Sequence, residues 1–155
     1  MTFNFSEFKN KKIIVTGSST GIGFETGVEF LNLGANVIFH GNQSINDLEA
    51  RIKTKSQSKN FKLFKSDFTD LSQVDNFMND AINYLDGLDI LVNNAGTMVG
   101  RYQLDTISEK DFLKIFDLNA KSAYFATKSA CTIFKKQNYG NIINVSTISA
   151  RTGGS

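Results

Sequence analysis

Thr16-Gly17-Ser18-Ser19-Thr20-Gly21-Ile22-Gly23 stands between the β-branched run Ile13-Ile14-Val15 and a stretch carrying apolar residues at Ile22, Phe24, Val28, Phe30 and Leu31. The run before it reads as a buried strand. The stretch after it reads as a helix that ends near Gly34. A glycine turn between strand and helix brings unpaired main-chain N–H groups and the positive end of the helix dipole to one point, where an anion can sit. Gly17 lets the chain turn tightly, Gly21 removes a Cβ where a pyrophosphate would approach, and Gly23 lets the helix pack closely on the sheet. Ser18, Ser19 and Thr20 add hydroxyls around the same point, beside Ile22. In isolation such a turn could merely cap a helix. With a strand before it and a helix after it, the pattern predicts a dinucleotide site.

Outward from the loop the same alternation continues. Val37-Ile38-Phe39 is a second buried strand, and Ser44 to about Lys55 an outer helix. Ser44 is its expected N-cap, Asp47 stands three residues on, and Leu48 and Ile52 face inward. Phe61 to Phe64 is a third strand. Asp70 to Tyr84 is a helix with Leu71, Val74, Phe77, Met78, Ala81 and Ile82 on its apolar side. Leu88 to Val92 is a fourth strand. Ser108 reads as an N-cap, Asp111 to about Phe134 as one long helix, and Ile142 to Val145 as a fifth strand. Strands alternating with helices predict an α/β fold, a Rossmann-like doubly wound parallel sheet in one domain, truncated after about the fifth strand. No repeat, low-complexity tract or linker interrupts it.

Composition narrows the function. The 155 residues are 41% hydrophobic and 21% charged, which is ordinary for a globular domain. Seventeen basic and 15 acidic residues, net charge +2, are spread along the chain and form no basic stripe, which argues against a nucleic-acid surface. No apolar run is long enough to span a bilayer, and Met1 to Lys12 lacks the apolar block of a secretory signal. Cys131 is the single cysteine, consistent with a reducing compartment, and the expected location is the cytoplasm. No metal-ligand cluster is expected.

Further motifs follow in order. Asp67-Phe68 closes the third strand. Asn93-Asn94-Ala95-Gly96 follows the fourth. Leu118-Asn119-Ala120-Lys121-Ser122 lies within the long helix, and Gly140-Asn141-Ile142-Ile143-Asn144-Val145-Ser146-Thr147 is a strand that ends in hydroxyls. Each has a plain reading: Asp67 as a turn residue, Asn93 and Asn94 as strand-end residues pairing backbone groups, Asn119 as an exposed helical Asn of poor propensity. Together with the Gly-x-x-x-Gly-x-Gly spacing, their order from about Lys11 onward resembles the short-chain dehydrogenase/reductase family, which includes 3-oxoacyl-[acyl-carrier-protein] reductases.

The resemblance implies hydride transfer between a nicotinamide and a carbonyl or alcohol carbon, with Asp67 and Phe68 against adenine and Asn93, Ala95 and Gly96 along the cofactor. It implies an Asn, a Ser, a Tyr and a Lys as catalytic set. Asn119 fits the Asn. Counting along the strand puts the Ser slot on Thr147, with Ser146 its neighbour; a Thr offers the same hydroxyl with an added methyl. The Tyr-x-x-x-Lys pair is expected just beyond Ser155, so the chain is expected to be a truncated frame or a fragment with little turnover. Tyr124 and Lys128 have the right spacing but precede the hydroxyl strand, and they read as helix surface or interface residues.

The end of the second strand reads Phe39-His40-Gly41-Asn42-Gln43. The family's ribose-binding acidic position falls on Gly41, which removes a barrier to a 2′-phosphate and leans the expectation to NADP over NAD. Thr20 and Asn42, where NADP-preferring relatives often carry a base, are neutral. His40 reads as a structural or surface residue. Gly96 to Leu104, with Arg101 and Tyr102, could border the substrate, and a small ketone, a sugar or a 3-oxoacyl thioester all remain open. A homo-oligomer is expected of the full-length enzyme. A non-catalytic dinucleotide-binding fragment and an interaction module are the competing functions.

Overall fold

The computed structural model describes residues 5–42, 45–103 and 105–153. A 3-10 turn at Phe5–Phe8 leads into β1 (Lys12–Val15), α1 (Gly21–Asn32), β2 (Asn36–Gly41), α2 (Leu48–Lys55), β3 (Phe61–Lys65), α3 (Leu71–Leu85) and β4 (Ile90–Asn93). There follow α4 (Glu109–Phe116), a π-helical turn (Asp117–Lys121), α5 (Ser122–Gln137), β5 (Asn141–Asn144) and the short α6 (Ser149–Thr152). The expected N-cap Ser44, Leu104, Gly154 and Ser155 lie outside the described residues.

The strands form one sheet in the order β3-β2-β1-β4-β5, every neighbouring pair parallel. Alternate residues of each strand point to opposite faces, so the sheet feeds two cores. Ile13, Val15, Val37, Phe39 and Val92 pack with Phe24, Val28, Leu31, Leu48 and Ile52 of α1 and α2. Ile14, Ile38 and Leu91 pack on the other face with Val74, Phe77, Met78 and Ala81 of α3 and with Ala126 and Ala130 of α5. A parallel sheet covered on both faces is the doubly wound arrangement. β3 and β5 are the two edges of the sheet; on β5 Ile143 is exposed, as is Val145 just after it.

Local chemistry sets the element ends. At the end of α1 the N–H of Gly34 donates to Leu31 O and that of Ala35 to Phe30 O, with Gly34 at φ +86°, a Schellman closure. Asp70 caps α3 by accepting the N–H of Ser72. Ser108 caps α4 by accepting the N–H of Asp111, while its own hydroxyl donates to the Asp111 carboxylate. The outer helix differs from expectation: α2 starts at Leu48, and its N-cap residue Asp47 makes no side-chain cap bond. Ile22, expected on the inward face of α1, is 68% exposed, because the inward stripe runs through Gly23, Phe24, Gly27, Val28 and Leu31. The expected single long helix is continuous from Glu109 to Gln137 but is broken in register by its π-helical turn.

Candidate functional site

The site lies along the carboxyl ends of the strands, where the sheet order reverses between β1 and β4 and a crevice opens. Gly17 has φ +61°, and a Cβ there would come within 2.7 Å of Cα of Ala95. A Cβ on Gly23 would overlap Nδ2 of Asn94 and approach Gly17 O to 2.7 Å. Gly21, at φ +58°, has open space where its Cβ would stand. Thus two glycines let backbone meet backbone inside the protein, and the third leaves the front of the loop bare.

Asn94 clamps this arrangement: Nδ2 donates to Thr16 O and Gly17 O, both at 3.0 Å, and its N–H donates to Thr16 Oγ1. The N–H of Ala95 donates to the same hydroxyl. At the start of α1 the N–H of Phe24 donates to Thr20 O, while helix geometry leaves the amides of Gly21, Ile22 and Gly23 without an acceptor inside the helix. Ser18 takes a different part from the one expected. Its hydroxyl is fully buried, donates to Val15 O and accepts the N–H of His40, so it shapes the loop from inside and offers the crevice nothing. Ser19 and Thr20 do line the crevice.

Two adjoining cavities fill the edge. One, of about 490 Å³, is lined by Gly17, Ser19, Thr20, Asp67 and Phe68 together with Ala95 and Gly96. The other, of about 740 Å³, is lined by Ile22, Asn93, Asn119, Ser146 and Thr147, again with Ala95 and Gly96. Ala95 and Gly96 therefore form a shared wall. The structure brings the two expected groups of residues, adenine side and catalytic side, to opposite ends of one continuous edge.

Individual side chains divide their duties. Asp67 Oδ1 accepts the N–H and the hydroxyl of Thr69, so the turn reading of that residue holds while it also lines the cavity. Phe68 is 2% exposed and stacks on His40, so it borders the cavity from beneath. Nδ2 of Asn93 donates to Thr127 Oγ1 and Asn144 Oδ1, tying β4 to α5 and β5. Its buried Oδ1 has no partner among the described residues. Asn119 Nδ2 donates to Thr97 O and Ile115 O, and its Oδ1 accepts the N–H of Thr97. Thr147 Oγ1 accepts the N–H of Ser149 at 3.2 Å and is exposed, as is Ser146.

The family model described as short chain dehydrogenase matches residues 11–155. The chain belongs to the short-chain dehydrogenase family. It is 32% identical over 142 residues to a probable NADP-dependent mannitol dehydrogenase of Yarrowia lipolytica, which covers 91% of this chain and 51% of that protein. It is 30% identical over 152 residues to sorbose reductase sou1 of Schizosaccharomyces pombe, covering 96% of this chain and 59% of the relative. The crystal structure of NADH-dependent reductase A1-R′ complexed with NAD superposes with a TM-score of 0.88 at 29% identity, covering 98% of this chain and 66% of that one. The chain spans little more than half the length of these curated relatives.

In this member of the short-chain dehydrogenase family two features of the site escape sequence reasoning. The first is the π-helical turn at Asp117–Lys121. The side-chain amide of Asn119 takes the carbonyl of Ile115, the acceptor its own backbone N–H would use in an α-helix, and Ser122 Oγ likewise takes Leu118 O. Competing side-chain bonds of this kind open the ladder by one residue. Poor helix propensity at Asn119 was the one available signal. The second feature is His40, which is 3% exposed and pushed down to about 4 from 6.5, chiefly by burial, with the Ser66 carbonyl and Asp67 pulling the other way. Among the described residues no cluster suited to a metal ion occurs, and no helix is long and apolar enough to cross a membrane.

Proposed function

We propose that this chain is the dinucleotide-binding portion of an oxidoreductase that transfers a hydride between NADP or NAD and a carbonyl or alcohol carbon. The observation that carries the reading is the shared wall: Ala95 and Gly96 border both the cavity on the Asp67 side and the cavity on the Asn119 side. A ligand with two ends joined by a phosphate bridge suits such an edge. The bare front of Gly21 and the amides that open α1 suit its pyrophosphate. When bound, the nicotinamide supplies or accepts the hydride.

The chain's own groups perform the rest. Asp67 and the edge of Phe68 border the adenine end. Asn119 holds the loop after β4 against the long helix through both atoms of its amide. The hydroxyls of Ser146 and Thr147, exposed in the second cavity, stand where a substrate oxygen can accept a hydrogen bond. Thr147 is the nearer match to the family's Ser slot. Acid–base chemistry would come from a Tyr-x-x-x-Lys pair in the full-length enzyme, which also would pair into an oligomer.

For the cofactor, NADP is favoured over NAD by two features. β2 ends in Gly41 with no carboxylate to repel a 2′-phosphate, and the guanidinium of Arg51 is anchored beside that end by a 2.9 Å bond from Nη1 to Ser19 O. Among a small ketone, a sugar and a 3-oxoacyl thioester, the names of the mannitol and sorbose relatives favour a sugar or polyol. Location in the cytoplasm agrees with the single, unpaired cysteine. The reading is tested by titrating the purified chain with NADPH and NADH and following nucleotide fluorescence. Saturable uptake of at least one is expected; folded protein that takes up neither refutes it. Uptake with no turnover even in the full-length protein would select the alternative of a binding module.

A further inference from the structure

We propose that His40 is a positioning residue for the dinucleotide, a strut that joins Gly17 of the phosphate loop to Ser66 at the adenine end so that the two binding segments keep one spacing. This rests on the reading of the strand edge as a dinucleotide site.

Both ring nitrogens are engaged, and in a defined sense. The N–H of Gly17 points at Nδ1 from 3.0 Å, so Nδ1 must be the bare acceptor nitrogen. Nε2 then carries the hydrogen and donates to Ser66 O at 3.1 Å. The main chain repeats the tie: the N–H of His40 donates to Ser18 Oγ, and the N–H of Ser18 donates to His40 O. The ring stacks on Phe68 with 4.0 Å between centroids and lies 4.8 Å from the ring of Phe77, so it cannot rotate without opening the core.

The consequence concerns which amides meet the phosphates. The Gly17 N–H is spent on the imidazole, so the loop's first amide is withheld and the ligand is left to the amides further along, at the start of α1. The same ring sets the height of Ser66-Asp67-Phe68, the segment that borders the adenine end. A shift of the ring therefore moves both ends of the site together, whereas the catalytic end at Asn119 and Thr147 is not attached to it.

Two substitutions separate the two bonds. In His40→Asn the side-chain oxygen falls near the place of Nδ1 and can accept from Gly17, while Ser66 is out of reach. In His40→Gln the amide falls near the place of Nε2 and can donate to Ser66, while the Gly17 N–H is left buried and unpaired. NADPH and NADH affinities are measured for the natural chain and both variants, with circular dichroism to confirm folding. Each variant keeps one bond and breaks the other, so neither still joins Gly17 to Ser66, and both are expected to weaken binding of both nucleotides by about tenfold. Natural affinity in either variant, with one of the two bonds broken, would overturn the strut. No uptake by the natural chain would sink the dinucleotide reading and the strut with it. Should either variant fail to fold, the coupling across the Gly17 N–H to Nδ1 hydrogen bond is measured in 15N-labelled natural protein. The coupling is expected to persist when NADPH is added; its disappearance would equally overturn the proposal.

Discussion

Gly23 on α1 and Asn94 after β4 meet so closely that any side chain at position 23 would occupy the place of the Asn94 amide. That amide is the group holding Thr16 O and Gly17 O, so helix packing and loop shape are one contact. Gly23→Ala is therefore expected to displace Asn94 and cost about 1–3 kcal/mol, as overpacked sites do. Thermal unfolding reads the stability, and nucleotide titration reads the loop. Weaker NADPH binding should accompany the lower melting temperature; a variant with unchanged affinity would show that Asn94 does not set the loop's geometry.

Cofactor preference can be separated from cofactor binding at Arg51. Its guanidinium is held by Ser19 O and lies 4.5 Å from the centre of the Phe24 ring, and no carboxylate among the described residues forms an ion pair with it. Arg51→Ala is expected to weaken NADPH binding by roughly tenfold, the worth of a charge-assisted hydrogen bond, and NADH binding far less. Equal losses for the two nucleotides would place Arg51 in the scaffold alone.

Gly41 offers the reverse change. A Cβ there would come within 2.7 Å of Cβ and 2.8 Å of Oγ of Ser19. Gly41→Asp alone should therefore weaken both nucleotides, because Ser19 must move before a carboxylate fits. Combined with Ser19→Gly, the carboxylate has room to accept a ribose hydroxyl, and preference should turn to NADH. Competitive titration of the double variant checks this; retained NADPH preference would speak against Gly41 as the ribose-facing position.

How much of this could be read in the sequence differs between backbone and side chains. The five strands, the loop between Val15 and Gly21, and the Gly34 helix end follow from period, β-branching and glycine placement, all local properties. The pairing of Gly23 with Asn94 joins residues 71 apart and becomes visible only when β1 and β4 lie side by side. His40 shows the limit most sharply. Strand parity turns it away from Phe39, but nothing local says that its ring will find Gly17 on one side and Ser66 on the other. Ser18, expected among the ligand-facing hydroxyls, is drawn inward by Val15 O and the His40 amide, partners that again depend on tertiary placement.

Acid should destabilise the protein through His40. Its folded value is pushed down to about 4 against 6.5 for an ordinary imidazole, so the unfolded chain binds the proton more readily. Stability from this group is then complete above about pH 6.5 and is lost as pH falls toward 4, by an amount on the order of 3 kcal/mol. Asp67 is the one charged group whose field on the ring is resolved, and it works in the opposite sense. Denaturant unfolding between pH 4 and 7.5 should show the loss, and His40→Asn, which cannot titrate, should flatten it.

Asn119 provides a test at the other end of the site. Its amide joins Ile115 O within the long helix to both backbone groups of Thr97 in the loop after β4. Asn119→Ala removes all three bonds at an exposed position, where water can replace them, so the expected cost is only about 1 kcal/mol. The helix should also lose one of the two side-chain bonds that compete with its ladder, the one at the Ile115 carbonyl, while that of Ser122 to Leu118 O remains. Amide hydrogen exchange separates the two consequences. Faster exchange at Thr97 is expected to appear together with slower exchange at residue 119. Unchanged exchange at both positions would mean that the turn is imposed by packing of α5 rather than by the Asn119 side chain.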